Sequence, residues 1–308
     1  MRAFVFPGQG AQVIGMGREL AEAYPEARAV FDEVDEALGE KLSDLIWNGD
    51  IETLTLTANA QPALMATSIA ALRALEVEGF GIKDADFVAG HSLGEYSALA
   101  AVGSLSLSDT ARLLRLRGSA MQEAVPVGEG AMAAILGLDF AAVEHLARDA
   151  AEGEVCQAAN DNDPAQVVIS GHKVAVERAA ALAKERGAKR ALMLPVSAPF
   201  HSALMQPAAA AMAEALAAIE ILPPEVPLVA NVRAEPVAEP GLIRRLLVEQ
   251  VTGSVRWRES VEFMAGAGVT EYWEIGAGKA LSGMIKRTAK DAVTRNFGTP
   301  ADIQALKG

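Results

Sequence analysis

The chain has 308 residues, 51% of them hydrophobic and only 5% aromatic, with a formal net charge of −13. That length suits one large domain with an insertion, or two domains, and the apolar share is ample for a sizeable core. The acidic balance argues against a nucleic-acid partner, and one cysteine, Cys156, excludes an internal disulfide framework and fits a reducing cytosol.

Residues 1–124 alternate short apolar runs with helical patterns, which predicts α/β layering. The opening run is short: Phe4-Val5-Phe6 reads as a buried strand, and Pro7-Gly8 follows too soon for a signal-peptide core. The uncharged stretch 54–72 contains Asn59, Gln61 and Pro62, and a second, 191–213, contains Pro195, Pro199 and Pro207. Such breakers and polar groups are costly in hydrocarbon, so both stretches read as buried core rather than membrane spans, and a cytoplasmic protein is expected.

Phe87-Val88-Ala89 predicts a second strand, and Gly90-His91-Ser92-Leu93-Gly94 follows it directly, ahead of a helix opening at Glu95-Tyr96-Ser97-Ala98. Strand, G-x-S-x-G turn and helix together make a nucleophile elbow, which exposes the serine hydroxyl at a helix N-terminus. The flanking glycines allow strand and helix to pack closely, and the Leu93 N–H is free to receive developing negative charge. The next helix, 109–123, carries Arg117 among Leu113, Leu114, Ala120 and Met121 at helical spacing. A guanidinium on an apolar face needs an anion. A structural salt bridge, snorkelling to the surface and a substrate carboxylate near Ser92 are all consistent with its position.

The stretch 125–198 reads differently. Strands are expected at 131–136, 155–159, 167–170 and 191–196, with helices over 140–150 and 174–186, and Asn160-Asp161-Asn162-Asp163-Pro164 as the connection between the middle strands. The order β-α-β-β-α-β is the ferredoxin-like arrangement. It looks inserted, because α/β alternation resumes with strands at 228–230 and 271–275 and helices near 243–250 and 279–289. The expected division is a core of 1–124 and 199–308, with a small domain of 125–198.

A serine needs a base, and the chain has four histidines. His91 adjoins the nucleophile on the turn and should point away from it. His145 reads as a surface residue and His172 as a turn residue. Elimination favours His201, in the loop Val196-Ser197-Ala198-Pro199-Phe200-His201-Ser202. No acid stands out as its partner, which points to a backbone carbonyl and counts against an ordinary esterase. Gly8-Gln9-Gly10 and Gly276-Ala277-Gly278 follow strands, but neither completes a dinucleotide fingerprint, since Val13 and Leu281 stand where glycine is needed. The loop at Gln9 is suited instead to aiming backbone N–H groups at an oxyanion.

Several segments now match a known family in order: Phe6-Pro7-Gly8-Gln9-Gly10-Ala11-Gln12, Gln61-Pro62-Ala63-Leu64, Gly90-His91-Ser92-Leu93-Gly94-Glu95-Tyr96-Ser97, Leu116-Arg117-Gly118, Gly130-Ala131-Met132-Ala133-Ala134, Pro199-Phe200-His201-Ser202 and Glu274-Ile275-Gly276. Over almost its whole length the chain resembles the malonyl-CoA:acyl carrier protein transacylases of fatty-acid synthesis. The resemblance implies an α/β fold, with a hydrolase-like parallel-sheet core and the inserted ferredoxin-like domain. It implies ping-pong transfer through a malonyl-Ser92 intermediate, from malonyl-CoA to the phosphopantetheine thiol of acyl carrier protein. His201 would be the base, the Gln250 carbonyl its orienting group, the N–H groups of Gln9 and Leu93 the oxyanion hole, and Arg117 the carboxylate partner. Gln61, Met121, Asn160 and Asn162 would line the site.

No bound cofactor, metal, nucleic acid or membrane is implied, and a monomer is expected. Carrier proteins are acidic, so docking on this acidic chain needs a local basic patch; Lys189, Arg190, Lys286 and Arg287 are the candidates. The competing readings are a polyketide-type acyltransferase, a serine esterase or thioesterase using the same pair, and a non-catalytic carrier-binding module. Phe200 before His201 favours malonyl by resemblance, and the presence of Ser92 and His201 argues against the last.

Overall fold

In the computed structural model, residues 1–196 and 198–307 are described. Ser197, in the loop leading to His201, and Gly308, at the end of the expected core, lie outside the described residues. The strands in chain order are β1 (Arg2–Phe6), β2 (Phe87–Gly90), β3 (Gly130–Leu136), β4 (Cys156–Asp163) and β5 (Gln166–His172). They continue with β6 (Arg190–Met193), β7 (Leu228–Ala230), β8 (Glu235–Val237), β9 (Glu271–Ile275) and β10 (Val293–Phe297).

Six strands form the core sheet in the order β10-β9-β1-β2-β7-β8, parallel except for the last pair. Parallel strands joined by helical crossovers are covered on both faces, so their sequences are continuously apolar. β1 shows this directly: Phe4 and Phe6 pack into one core with the helices Pro25–Leu38, Thr57–Val77 and Leu107–Glu123. Ala3 and Val5 point the opposite way, against Trp257, Val261, Leu281 and Ile285. This is the two-residue alternation of a strand buried on each side.

The helix Thr57–Val77 accounts for the first uncharged stretch and is buried along most of its length. Pro62 removes one backbone donor from it, and the freed carbonyl, that of Ala58, accepts from Arg115 Nη1 at 2.6 Å. A Cβ on Gly118 would lie 2.5 Å from the Thr57 carbonyl oxygen. Glycine there lets the helix carrying Arg117 approach the helix carrying Gln61.

The other four strands make an antiparallel sheet in the order β4-β5-β3-β6, within the element order β-α-β-β-α-β read from the sequence. The helices Phe140–Ala151 and Lys173–Glu185 cover one face. Met132, Ala134, Ala159 and Val168 lie on the other, with Leu194, Val196 and Phe200 packed against them.

Two expectations fail here. Asn160 to Asp163 are not a connection but the second half of β4, and the turn is Pro164-Ala165. Tertiary pairing overrides poor strand propensity. Asp161 N–H donates to the Val255 carbonyl and Val255 N–H to that of Ala159, each at 2.9 Å. Arg258 Nε reaches both oxygens of the fully buried Asp161 at 3.1 Å, and Arg287 Nε donates to Asp163 at 2.7 Å. The strand expected over 191–196 is instead β6, Arg190–Met193; after a last hydrogen bond from the Leu194 N–H to the Met132 carbonyl the chain leaves the sheet, and Leu194 to Val196 border the cavity beside Ser92.

The elbow sets the tightest packing limit. A Cβ at Gly90 would lie 1.9 Å from the Gly94 carbonyl, and one at Gly94 would lie 2.2 Å from the Phe6 carbonyl oxygen. Gly94→Ala is therefore expected to lower stability by about 1–3 kcal/mol, measured by urea denaturation. An unchanged midpoint would contradict this packing account.

Candidate active site

β2 ends at Gly90 and the helix Leu93–Ala101 begins three residues later, so the chain reverses within the turn. Ser92 carries the reversal at φ 54° and ψ −111°, a conformation that costs a non-glycine residue energy. Asn231, just beyond β7, holds it in place. Its Oδ1 accepts the Ser92 N–H at 2.8 Å, and its Nδ2 donates to the Gly90 carbonyl at 2.7 Å.

Ser92 Oγ lies 2.8 Å from His201 Nε2, and His201 Nδ1 lies 2.8 Å from the Gln250 carbonyl oxygen. A carbonyl can only accept, so Nδ1 carries the ring proton and the bare Nε2 accepts from the serine hydroxyl. His201 also has positive φ, at 55°, and is buried. Burial first, and then the charge of Arg117, push its pKa down to about 3, against a weaker upward pull from the Gln250 carbonyl. The imidazole is thus neutral and ready to take a proton.

Arg117 is 1% exposed. Its Nη1 donates to Gln61 Oε1 at 2.7 Å, and its Nη2 donates to Gln250 Oε1 at 2.8 Å and to Ser92 Oγ at 3.2 Å. Its carbon centre sits 5.6 Å from the centroid of the Tyr96 ring, and Nε has no partner among the described residues. Of the alternatives open to this cation, neither a structural salt bridge nor snorkelling is realised among the described residues. Gln250 therefore serves twice, its backbone orienting the histidine and its side chain holding the arginine. Its Nε2 donates to Glu95 Oε2 at 2.8 Å and to the Ser92 carbonyl at 3.0 Å.

A cavity of about 440 Å³ opens onto these groups and is bordered also by Gln9, Leu93, Met121 and Asn160. The loop holding Gln9 presses on the elbow: a Cβ on Gly8 would lie 2.7 Å from the His91 carbonyl oxygen. Thr57 Oγ1 donates to Gln9 Oε1 at 2.8 Å, and Gln61 Nε2 donates to Thr57 Oγ1 at 2.9 Å. Asn162 stands behind the site, its Oδ1 2.8 Å from His91 Nε2. His145 is exposed, and His172 Nδ1 accepts from the Val155 N–H. Near the end of β9, the Glu274 carboxylate accepts from the N–H groups of Leu281 and Ser282, so an internal anion already occupies the start of the helix that follows. Lys189, Arg190, Lys286 and Arg287 are exposed, and none borders the cavity.

The family described as acyl transferase domain matches residues 3–299. The malonyl CoA-acyl carrier protein transacylase of Bacillus subtilis is 51% identical over 98% of this chain and 95% of its own. The chain belongs to the malonyl CoA-acyl carrier protein transacylase family. Its fold matches the crystal structure of the acyl-carrier-protein-S-malonyltransferase of Bartonella henselae, with TM-score 0.96 and 56% identity over 99% and 98% of the two chains. A malonyl-transacylase solved in complex with a type II PKS acyl-carrier protein matches with TM-score 0.95 and 43% identity over 99% and 98%.

In this member of the transacylase family, three supports escape the sequence reading: Asn231, Glu95 and the side chain of Gln250. Asn231 had a usable signal, a polar residue at the carboxyl end of a parallel strand, where such sheets place their sites. Glu95 reads as an ordinary first-turn acid, and only folding buries it.

The depressed His201 pKa gives a stability signature. The folded protein refuses a proton that the unfolded chain binds below about 6.5, so this contribution is present above pH 6.5 and lost as pH falls toward 3. The unfolding free energy of wild type minus that of His201→Gln is therefore expected to grow with pH by up to about 1.4 kcal/mol per unit in that window. It should level off above the window. A difference flat across the whole range would contradict the buried, neutral histidine.

Proposed function

We propose that the chain transfers a malonyl group from malonyl-CoA to the phosphopantetheine thiol of an acyl carrier protein, supplying extender units for fatty-acid synthesis. The observation that carries this reading is the buried Arg117 guanidinium, 3.2 Å from the Ser92 hydroxyl. An acyl group ending in a carboxylate satisfies that cation bidentately, whereas an acetyl group leaves it without an incoming anion.

In the first half-reaction His201 Nε2 takes the Ser92 proton as Oγ attacks the thioester carbonyl. The N–H groups of Gln9 and Leu93 receive the oxyanion; Leu93 is the first helical residue and has no helical acceptor for its N–H. The C–S bond breaks, the proton passes from His201 to the departing sulfur, and malonyl-Ser92 remains. In the second half His201 takes the proton of the carrier thiol, whose sulfur attacks the ester. Ser92 Oγ leaves and regains the proton. General-base help of this kind is worth about 10²–10⁴ in rate, and one oxyanion donor about 3 kcal/mol. Gln61 and Gln250 hold Arg117 until the carboxylate arrives, Met121 and Asn160 border the acyl group, and Asn162 steadies His91.

Docking of the acidic carrier falls to Lys189, Arg190, Lys286 and Arg287. Arg287 has Nε engaged by Asp163, but its side chain is half exposed. The known complex of a related malonyl-transacylase with a type II PKS acyl-carrier protein makes a polyketide carrier the second reading.

With radiolabelled malonyl-CoA and holo-carrier protein, label should pass to the carrier rather than to water, and Ser92→Ala should abolish the transfer. Release as free malonate would indicate a thioesterase instead. Arg117→Ala should lose malonyl transfer far more than acetyl transfer, by about 10²-fold or more; equal losses would sink the carboxylate role. Charge reversal at Lys286 and Arg287 should raise the carrier KM, and an unchanged KM would remove them from the docking surface.

A further inference from the structure

No carboxylate touches Arg117 among the described residues, although the cation is almost wholly shielded from water. Amide oxygens and a hydroxyl accept from its two Nη atoms, but they do not balance its charge, and an uncompensated buried ion is costly. The carboxylate reached through the fewest hydrogen bonds is Glu95, itself 1% exposed. Glu95 Oε2 accepts from Gln250 Nε2 at 2.8 Å and from the Asn231 N–H at 3.1 Å, and Gln250 Oε1 accepts from Arg117 Nη2 at 2.8 Å. One amide therefore bridges the ions, its NH₂ end toward the anion and its oxygen toward the cation. The transfer mechanism makes no use of Glu95.

Resting on the carboxylate-binding role proposed for Arg117, we infer that Glu95 is the internal counter-charge of that guanidinium. It balances Arg117 while the acyl pocket is empty or holds an uncharged acyl group, and takes up a proton from solvent when a substrate carboxylate docks. Two carboxylates sharing one cation in a low-dielectric site each favour protonation of the other.

Burial has already pushed Glu95 up to about 7, while Gln250, Asn231 and Arg117 restrain it from rising further, so a second anion can complete its neutralisation near neutral pH. The other titratable groups around it do not compete. Tyr96, on the same helix, stays neutral to about 12; His201 and His91, from the facing loops, are held neutral by burial. Departure of the acyl group returns the proton to solvent. Glu95 also competes with malonyl for Arg117, so it softens the preference for charged over uncharged acyl groups.

Calorimetric titration of Ser92→Ala, which binds without transfer, in two buffers of different ionisation enthalpy counts the protons taken up. Malonyl-CoA near pH 7 should bring uptake of a fraction of a proton per site, because burial leaves Glu95 only partly ionised there, and acetyl-CoA should bring none. The uptake should vanish when Glu95→Gln is added, a substitution that keeps an oxygen for Gln250 Nε2. In an otherwise wild-type chain, Glu95→Gln should raise the malonyl-to-acetyl ratio of kcat/KM by roughly tenfold and remove the fall of that ratio with pH around 7.

Malonyl-CoA binding with no proton uptake would overturn the proposal and leave the role of Arg117 standing, as would uptake that persists in Glu95→Gln. Malonyl-CoA binding that is unaffected by Arg117→Ala would overturn both.

Discussion

A guanidinium buried within reach of a serine hydroxyl is the constraint around which the rest of the site is arranged. Arg117 has 1% of its surface exposed, and holding it there takes several separate parts of the fold. Gln61 comes from the helix Thr57–Val77, Gln250 from the helix Pro240–Thr252, and the Tyr96 ring from the helix after the elbow. Gly118 lets the two long helices touch backbone to backbone, which brings Gln61 to the arginine. Gln250 ties the site together: its carbonyl fixes the histidine tautomer, its amide oxygen holds the arginine, and its amide nitrogen reaches Glu95 and the Ser92 carbonyl.

The same burial sets the character of His201. A carboxylate behind His201 would raise its proton affinity, whereas a carbonyl behind it and a cation beside it keep the imidazole neutral. The elbow supplies the other half of the pair through strain: Ser92 and His201 both hold positive φ, and Asn231 pins the Ser92 end through its hydrogen bond to the peptide N–H. Strain of that kind survives only where surrounding contacts over-determine it, and the glycines at 90 and 94 leave the chain no room to relax.

Much of this was legible in the sequence because it rests on local chemistry. The strand, the G-x-S-x-G turn and the helix are contiguous; His201 emerges because there are few histidines; Arg117 announces itself by its apolar neighbours. The small sheet's element order was also readable from periodicity. The Asn160–Asp163 segment was not: it pairs with the neighbouring strand β5, but the groups that satisfy its polar residues, from Val255, Arg258 and Arg287, lie about a hundred residues away in sequence. Glu95 and Asn231 were hidden for the same reason: nothing in their neighbours' identities tells that both converge on Gln250 and the elbow.

The most direct test of the account is a crystal structure of the malonyl-enzyme trapped on Ser92. In that structure the malonyl carboxylate is expected to pair with both Nη atoms of Arg117, with the ester carbonyl oxygen facing the N–H groups of Gln9 and Leu93. A malonyl carboxylate directed to solvent, with Arg117 still held only by Gln61 and Gln250, would contradict it.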